Sequence, residues 1–292
     1  MIPPVRIAHR GASGHGMAPE NTLAAFELAI GIGVDVLEAD VQVSADEELV
    51  VIHDVTLDRT TDGGGLVAEH SLRDLRRLDA GSWFDPRYRD ERIPTLTELL
   101  DLARNRALVL IELKADFIAE KTITLIERLG GASGVIIQSF NPQTIARINA
   151  LNPALPTALL VGRLPTTPSR VRARRLVAQL LKVGANALSI WHATLTPALF
   201  EEMRKRALSV WTWTVNEEII MRDMVALGVQ GIITDQPDRL NRVFEELEDE
   251  GGLRPALGRR RRVRRSRWGR RRQLRKQRSQ SLRTQKLRPR GG

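Results

Sequence analysis

Residues 34–54 read V-D-V-L-E-A-D-V-Q-V-S-A-D-E-E-L-V-V-I-H-D, and the folding of this stretch sets the frame for the rest of the chain. It opens as an apolar strand broken by two acids, Glu38 and Asp40. Side chains alternate faces along a strand, so the two acids share one face while Leu37, Ala39 and Val41 take the other. Ser44 to Glu48 is polar and predicts a turn, and Leu49 to His53 a short return strand. Pairing Ser44 with Leu49 would set Asp40 opposite His53, and directly opposed Cβ atoms lie about 5 Å apart. One hairpin then gathers two carboxylates and an imidazole, groups that suit a hard divalent cation and proton transfer. The plainer alternative is a surface hairpin with solvated acids, the usual state of Asp and Glu.

Working outward, Val5 to Ala8 predicts a strand that runs into His9-Arg10-Gly11. A Gly-rich loop follows, and a helix opens at Pro19-Glu20-Asn21-Thr22 with Ala25, Phe26, Ala29 and Ile30 on its apolar stripe. Residues 54–94 break the alternation and predict an insertion of about forty residues, a loop length that is usually functional. Beyond it, strands starting near Ala107, Val135, Thr157, Ala187, Leu208 and Gln230 alternate with helices that close on signals such as Gly130 and Gly228. With the strands at Val5 and Val34 there are eight strand–helix units, the pattern of an α/β (β/α)8 TIM barrel. A doubly wound open sheet is the competing architecture. The expected organisation is a barrel over residues 1–250 and a separate tail over 251–292.

Barrel chemistry sits at the C-terminal ends of the strands. There the pattern places His9 on the first strand, Glu38 and Asp40 on the second, Glu112 and Lys114 on the third, Trp213 on the seventh and Asp235 on the eighth. Three neighbouring carboxylates repel unless a cation stands between them. With His9, Arg10 and Lys114 in the same mouth, the inventory favours an anionic substrate that coordinates metal, most simply a phosphate ester. Each residue alone has an ordinary structural explanation, and Trp83, Phe84, Trp191 and Trp211 read as packing residues. No G-x-S-x-G elbow is present, and Gly63-Gly64-Gly65 lacks the Lys of a phosphate-binding P-loop.

Composition narrows the field. Cysteine is absent, which excludes disulfides and thiolate metal sites. Neither a signal-like N-terminus nor an apolar run of membrane-spanning length is present, so the expected location is the cytoplasm. The net charge of +10 hides two objects. Arg254 to Gly292 holds 18 of the 45 Lys and Arg and none of the 35 Asp and Glu, leaving 27 basic against 35 acidic residues elsewhere. Such a tail is expected to be disordered. It is compatible with nucleic-acid binding, with peripheral attachment to an anionic membrane through residues 254–290, or with no role.

An ordered set of motifs closely resembles the glycerophosphodiester phosphodiesterase family. These are His9-Arg10-Gly11, Pro19-Glu20-Asn21-Thr22, Glu38-x-Asp40, His53-Asp54, Leu57-Asp58-Arg59-Thr60-Thr61, Ile93-Pro94-Thr95-Leu96, Glu112-x-Lys114 and Trp213-Thr214-Val215-Asn216. The resemblance spans residues 5 to about 245 and implies a TIM barrel with an insertion after His53-Asp54. It implies metal-dependent hydrolysis of glycerophosphodiesters to an alcohol and sn-glycerol 3-phosphate, with Mg²⁺ or Ca²⁺ as cofactor. By motif, Glu38, Asp40 and Glu112 correspond to metal ligands, with Glu20 close to the metal. His9 and His53 correspond to the acid/base pair, Arg10 and Lys114 to phosphate contacts, and Trp213 to packing against the glycerol. A lysophospholipase D-like lipid phosphodiesterase and an anionic-surface or nucleic-acid-binding protein on an inactive barrel are the alternatives. The segment Trp191-His192-Ala193-Thr194 matches nothing in the motif set.

Overall fold

A computed structural model describes residues 2–130, 133–164 and 169–253; the Arg-rich tail, 254–292, lies outside the described residues. Residues 4–245 form one compact unit, and residues 2–3 with 246–253 belong to a second. The elements in chain order are β1 (Val5–Ala8), α1 (Leu23–Ile32), β2 (Val36–Val43), β3 (Leu49–Val51), α2 (Leu72–Leu75), α3 (Leu96–Ala103), β4 (Leu108–Leu113) and α4 (Ala119–Arg128). They continue with β5 (Val135–Ser139), α5 (Pro142–Leu151), β6 (Thr157–Val161), α6 (Arg170–Val183), β7 (Ala187–Trp191), α7 (Pro197–Arg204), β8 (Ser209–Trp213), α8 (Glu218–Leu227), β9 (Gly231–Thr234) and α9 (Pro237–Asp249). Parallel pairing runs β1-β9-β8-β7-β6-β5-β4-β2, and β1 pairs with β2, so the sheet closes on itself. That closure makes a TIM barrel and removes the open-sheet alternative.

The helices end where the local chemistry tells them to. Thr22 caps α1 by accepting from the Ala25 N–H, and Gly33, at φ 89°, stops it in the left-handed conformation. Thr95 and Glu98 form a reciprocal capping box at the start of α3. Between strand and helix the alternation of faces is strict. Leu37, Ala39, Val41, Val109 and Ile111 pack outward against Phe26, Leu96 and Leu99. Full burial of a ring such as Phe26 contributes about 1.5–3 kcal/mol. Val36, Leu110, Ile7 and Ile233 point inward and, with Trp211, form an apolar floor inside the barrel. Glu38, Asp40 and Glu112 have the same inward parity further along their strands, so they stand above that floor.

β2 is twice as long as β1, and its far end would be a bare edge. The antiparallel β3 covers it, pairing Val41 with Val51, Gln42 with Val50 and Val43 with Leu49. This register is one residue shorter than the sequence pattern suggests. Ser44 pairs with Glu48, through the Ser44 N–H bonded to the Glu48 carbonyl (3.0 Å), and Asp40 lies opposite Ile52 rather than His53. The cause is the turn: three residues suffice because Glu47 adopts a left-handed φ of 64°. His53 reaches the barrel mouth because the chain leaves the strand after Val51. The insertion, residues 54–94, packs Leu57, Val67, Leu75, Ala80 and Ile93 against Val50 and Ile52 of the return arm in a small separate cluster. It is tied over the β1–α1 loop by the Tyr88 hydroxyl, which donates to the Met17 carbonyl at 2.6 Å.

Gly231 is required by the floor. A Cβ there would lie 2.7 Å from Trp211 Cδ1 and 3.1 Å from Ile7 Cδ1. Gly231→Ala is therefore expected to lose about 1–3 kcal/mol, the usual cost of overpacking a filled interior. Chemical denaturation of variant and parent checks this.

Candidate active site

At the C-terminal ends of the strands lies a cavity of about 230 Å³. Its wall divides by chemistry. His9, Arg10, Glu38, His53, Glu112 and Lys114, from the β1–β4 side, make it polar. Phe140, Leu160, Trp213 and Ile233, with Gln138 between the two sets, make the β5–β9 side largely apolar. Trp211 and Trp213, on one strand face, both pack against the floor beneath, and of the two only Trp213 lines the cavity.

Glu38, Asp40 and Glu112 each offer a carboxylate oxygen within 4.8 Å of the others, and all three are buried. In-register pairing of Asp40 with Glu112 brings the latter in from the neighbouring strand. Donors surround the cluster. The Arg10 backbone N–H donates to Glu38 (3.0 Å), and Gln138 Nε2 donates to its other oxygen (3.0 Å). Asn21 donates to Asp40 Oδ2 (2.9 Å), which also lies 3.1 Å from Arg10 Nε. Lys114 Nζ stands between the other two acids, 2.6 Å from Glu112 and 2.9 Å from Asp40 Oδ1. Arg10 holds this position in a left-handed conformation (φ 56°), and Gly11 behind it leaves no room for a Cβ, which would sit 2.7 Å from the Ala25 backbone.

The carboxyls respond unequally. Burial, then the Asp40 charge, pushes Glu38 up to about 7. Burial and Asp40 raise Glu112 as well. Burial opposes the Asp40 charge too, but Lys114 and Arg10 outweigh it and hold that carboxyl well below the usual range. A buried set of three hard oxygens, two of them reluctant to ionise, is a set that could hold a divalent cation.

Each mouth histidine is held by a carboxylate. His9 Nδ1 lies 2.6 Å from Asp235 Oδ1, and His53 Nδ1 lies 2.6 Å from Asp54 Oδ1. An ionised carboxylate only accepts, so the proton of each bond is on Nδ1 and Nε2 is the free nitrogen. Asp235 is itself fixed by the Ser13 hydroxyl (3.2 Å) and the Asn216 amide (2.6 Å). Asp54 accepts from Arg59 Nε (2.6 Å), and Arg59 grips both oxygens of Glu20 at 2.8 Å. Glu20 also accepts from Arg10 (2.7 Å), so it stands outside the acid triad, occupied by two guanidinium groups. The imidazoles differ in charge preference. Burial opposes the His9 cation, but the bond to Asp235 and the charge of Glu38 outweigh it and raise its pKa. Burial, with Lys114 and Arg10 nearby, lowers that of His53.

His9, Arg10, Glu38, Asp40, His53, Glu112, Lys114 and Trp213, the residues expected at the site, all line or adjoin one cavity. Asp54, Arg59, Asn216 and Asp235 make supporting contacts that the motifs alone do not assign. The signal was present for Asp235, an acid at the end of the last strand, which closure sets beside the first. Trp83 and Phe84 do not line the cavity; they pack edge to face, with centroids 5.7 Å apart, in the insertion.

Fold and mouth together define a TIM-barrel hydrolase of the phosphodiester-cleaving class. Residues 9–239 match the Glycerophosphoryl diester phosphodiesterase family, and the chain belongs to it. It is 38% identical over 240 residues to a glycerophosphodiester phosphodiesterase of Caldanaerobacter subterraneus subsp. tengcongensis, covering 80% of this chain and 95% of that protein. An Oleispira antarctica phosphodiesterase, solved in complex with its product sn-glycerol-3-phosphate, superposes with a TM-score of 0.73 at 30% identity, covering 83% of this chain and 97% of that one. A glycerophosphodiester phosphodiesterase from Agrobacterium tumefaciens superposes with a TM-score of 0.70 at 32% identity, covering 82% and 100%.

The raised Glu38 has a consequence for stability. Between its ordinary value of 4.5 and about 7, the folded state keeps a proton that the unfolded chain releases, so stability falls as pH rises through that window. Glu112 adds to the same trend, whereas the lowered Asp40 acts only below its ordinary 3.8. Chelator-treated protein should therefore melt at a lower temperature at pH 8 than at pH 6, and added Mg²⁺ or Ca²⁺ should recover the loss. Thermal melts with EDTA and with each metal check this.

Proposed function

We propose that this chain hydrolyses water-soluble glycerophosphodiesters to an alcohol and sn-glycerol 3-phosphate, assisted by Mg²⁺ or Ca²⁺ at Glu38, Asp40 and Glu112. The observation that carries the reading is the convergence of three buried acids between two imidazoles, each anchored by its own carboxylate. The product-bound Oleispira neighbour supports the substrate class. The oxygen donors, with Asp40 Oδ1 met among the described residues only by the Lys114 ammonium at 2.9 Å, suit a hard cation. When bound, the metal supplies positive charge against the non-bridging phosphate oxygens.

The chain's own residues do the rest. Arg10 and Lys114 carry fixed charge into the mouth and neutralise the phosphate as charge builds on it. His53, shifted towards its neutral form, accepts the proton of the attacking hydroxyl at Nε2. That hydroxyl belongs to water or to the glycerol's own 2-position; in the second case a cyclic phosphate forms as the alcohol leaves, and water then opens it, with His9 taking the water's proton and His53 returning one to the 2-oxygen. His9, shifted towards its charged form, donates its Nε2 proton to the alcohol oxygen as the P–O bond breaks. A pair of groups whose surroundings push their pKa values apart is the arrangement that divides acid from base. Glu20 orients Arg10 rather than binding metal, and Trp213 offers an apolar face to the glycerol. A cavity of about 230 Å³ lined by neither Trp83 nor Phe84 favours soluble diesters over lysolipids.

His9→Ala and His53→Ala should each lower turnover of glycerophosphodiesters by at least about 10²-fold, the usual contribution of a general acid or base. Circular dichroism should show native folding for both. Near-wild-type rates in either variant would discard the assignment. Asp235→Asn should give a smaller loss than His9→Ala. EDTA should abolish turnover, with Mg²⁺ or Ca²⁺ restoring it.

A further inference from the structure

Trp191-His192-Ala193-Thr194 has no part in the chemistry above, yet it sits at the catalytic end of the barrel. Trp191 pairs in register with Trp213, on the same inward face of the adjacent strand. Trp213 lines the cavity and meets Phe140 edge to face, with centroids 5.8 Å apart. The half-buried Trp191 carries the guanidinium of Arg163 over its ring, 4.8 Å from the centroid. The His192 ring lies beside it, with centroids 5.6 Å apart. The Thr194 hydroxyl donates to the Gly162 carbonyl (3.3 Å), tying the two loops together. Arg163 is exposed, and among the described residues no carboxylate pairs with it.

The cavity's polar half, on the β1–β4 side, is taken by the reacting groups. A diester bound there with its glycerol against Trp213 extends its other alcohol past that ring, and Trp191, carrying Arg163, stands beside Trp213 on the next strand, outside the cavity lining itself. Indole faces attract quaternary ammonium groups. Here the face of Trp191 is already taken by a guanidinium, which repels a second cation. A stacked guanidinium is also pre-oriented, its planar fork matching carboxylate or phosphate.

Resting on the phosphodiesterase reading above, we infer that Arg163 on Trp191 is the head-group subsite. It selects diesters whose leaving alcohol bears its own carboxylate or phosphate and disfavours choline-type head groups. The subsite sets specificity; it does not touch the reacting phosphorus.

Paired substrates test this with the full chain and added Mg²⁺. Glycerophosphoserine and glycerophosphoethanolamine differ only by a carboxylate. Glycerophosphoglycerol with and without a terminal phosphate forms the second pair and separates the two anion sources. In the wild type, kcat/KM should favour the anion-bearing member of at least one pair, and glycerophosphocholine should be the poorest substrate. Arg163→Ala should reduce that preference about tenfold, the scale of one charge-assisted hydrogen bond, and Arg163→Lys should restore part of it. Equal loss on every diester, an unchanged ratio, or a wild-type preference for choline overturns the subsite while leaving the phosphodiesterase reading intact. Failure of the wild type to cleave any diester overturns both.

Discussion

Three buried carboxylates at the barrel mouth are the constraint to which the surrounding structure responds. At 4.8 Å or less apart, each ionised pair repels by at least about 3 kcal/mol at an effective dielectric near 20. The fold does not relieve this by spacing, since parallel register fixes Asp40 beside Glu112. It relieves it with charge and donors: Lys114 between two acids, Arg10 between Glu20 and Asp40, and amides from Asn21 and Gln138. The left-handed Arg10 and the crowded Gly11 belong to the same arrangement, because this loop path aims both the Arg10 N–H and its guanidinium at the acids. Glu38 still ends with a carboxyl that holds its proton to about 7, a residual imbalance that a divalent ion would remove.

Both imidazoles are fixed from behind, and the two supports have different origins. Asp235 reaches His9 because closure of the barrel makes the last strand a neighbour of the first, 226 residues away in sequence. Asp54 reaches His53 from the adjacent position and is in turn held by Arg59, which belongs to the insertion. Arg59 also grips Glu20, and Glu20 grips Arg10. The insertion is therefore connected to the acid cluster through one chain of ion pairs, and its packing bears on the geometry of the mouth.

Most of the fold was legible because strand and helix periods are regular and turn residues punctuate them; the eight strand starts lie within two residues of their expected places. The location of the acids was legible for the same reason, since the i, i+2 rule needs only a strand. The hairpin register was not, because a non-glycine residue, Glu47, adopts the left-handed conformation that shortens the turn. The partnership of His9 with Asp235 can be read only once the eight units are taken as a closed barrel, which sets the last strand beside the first. The Arg59–Glu20 link was hidden, because it depends on how the insertion folds back over the first loop, which no local pattern encodes. Trp211 and Trp213 show the remaining gap: parity puts them on one face and both pack on the floor, but which of them also lines the cavity depends on depth in the barrel.

Everything rests on the three acids binding one ion together. A crystal of the full chain soaked in Mn²⁺ and measured at the manganese absorption edge addresses this directly. The account predicts one anomalous peak within coordination distance of Glu38, Asp40 and Glu112, and its loss in Glu112→Gln. A peak elsewhere, or an acid cluster still bridged by Lys114 with no manganese beside it, would contradict it.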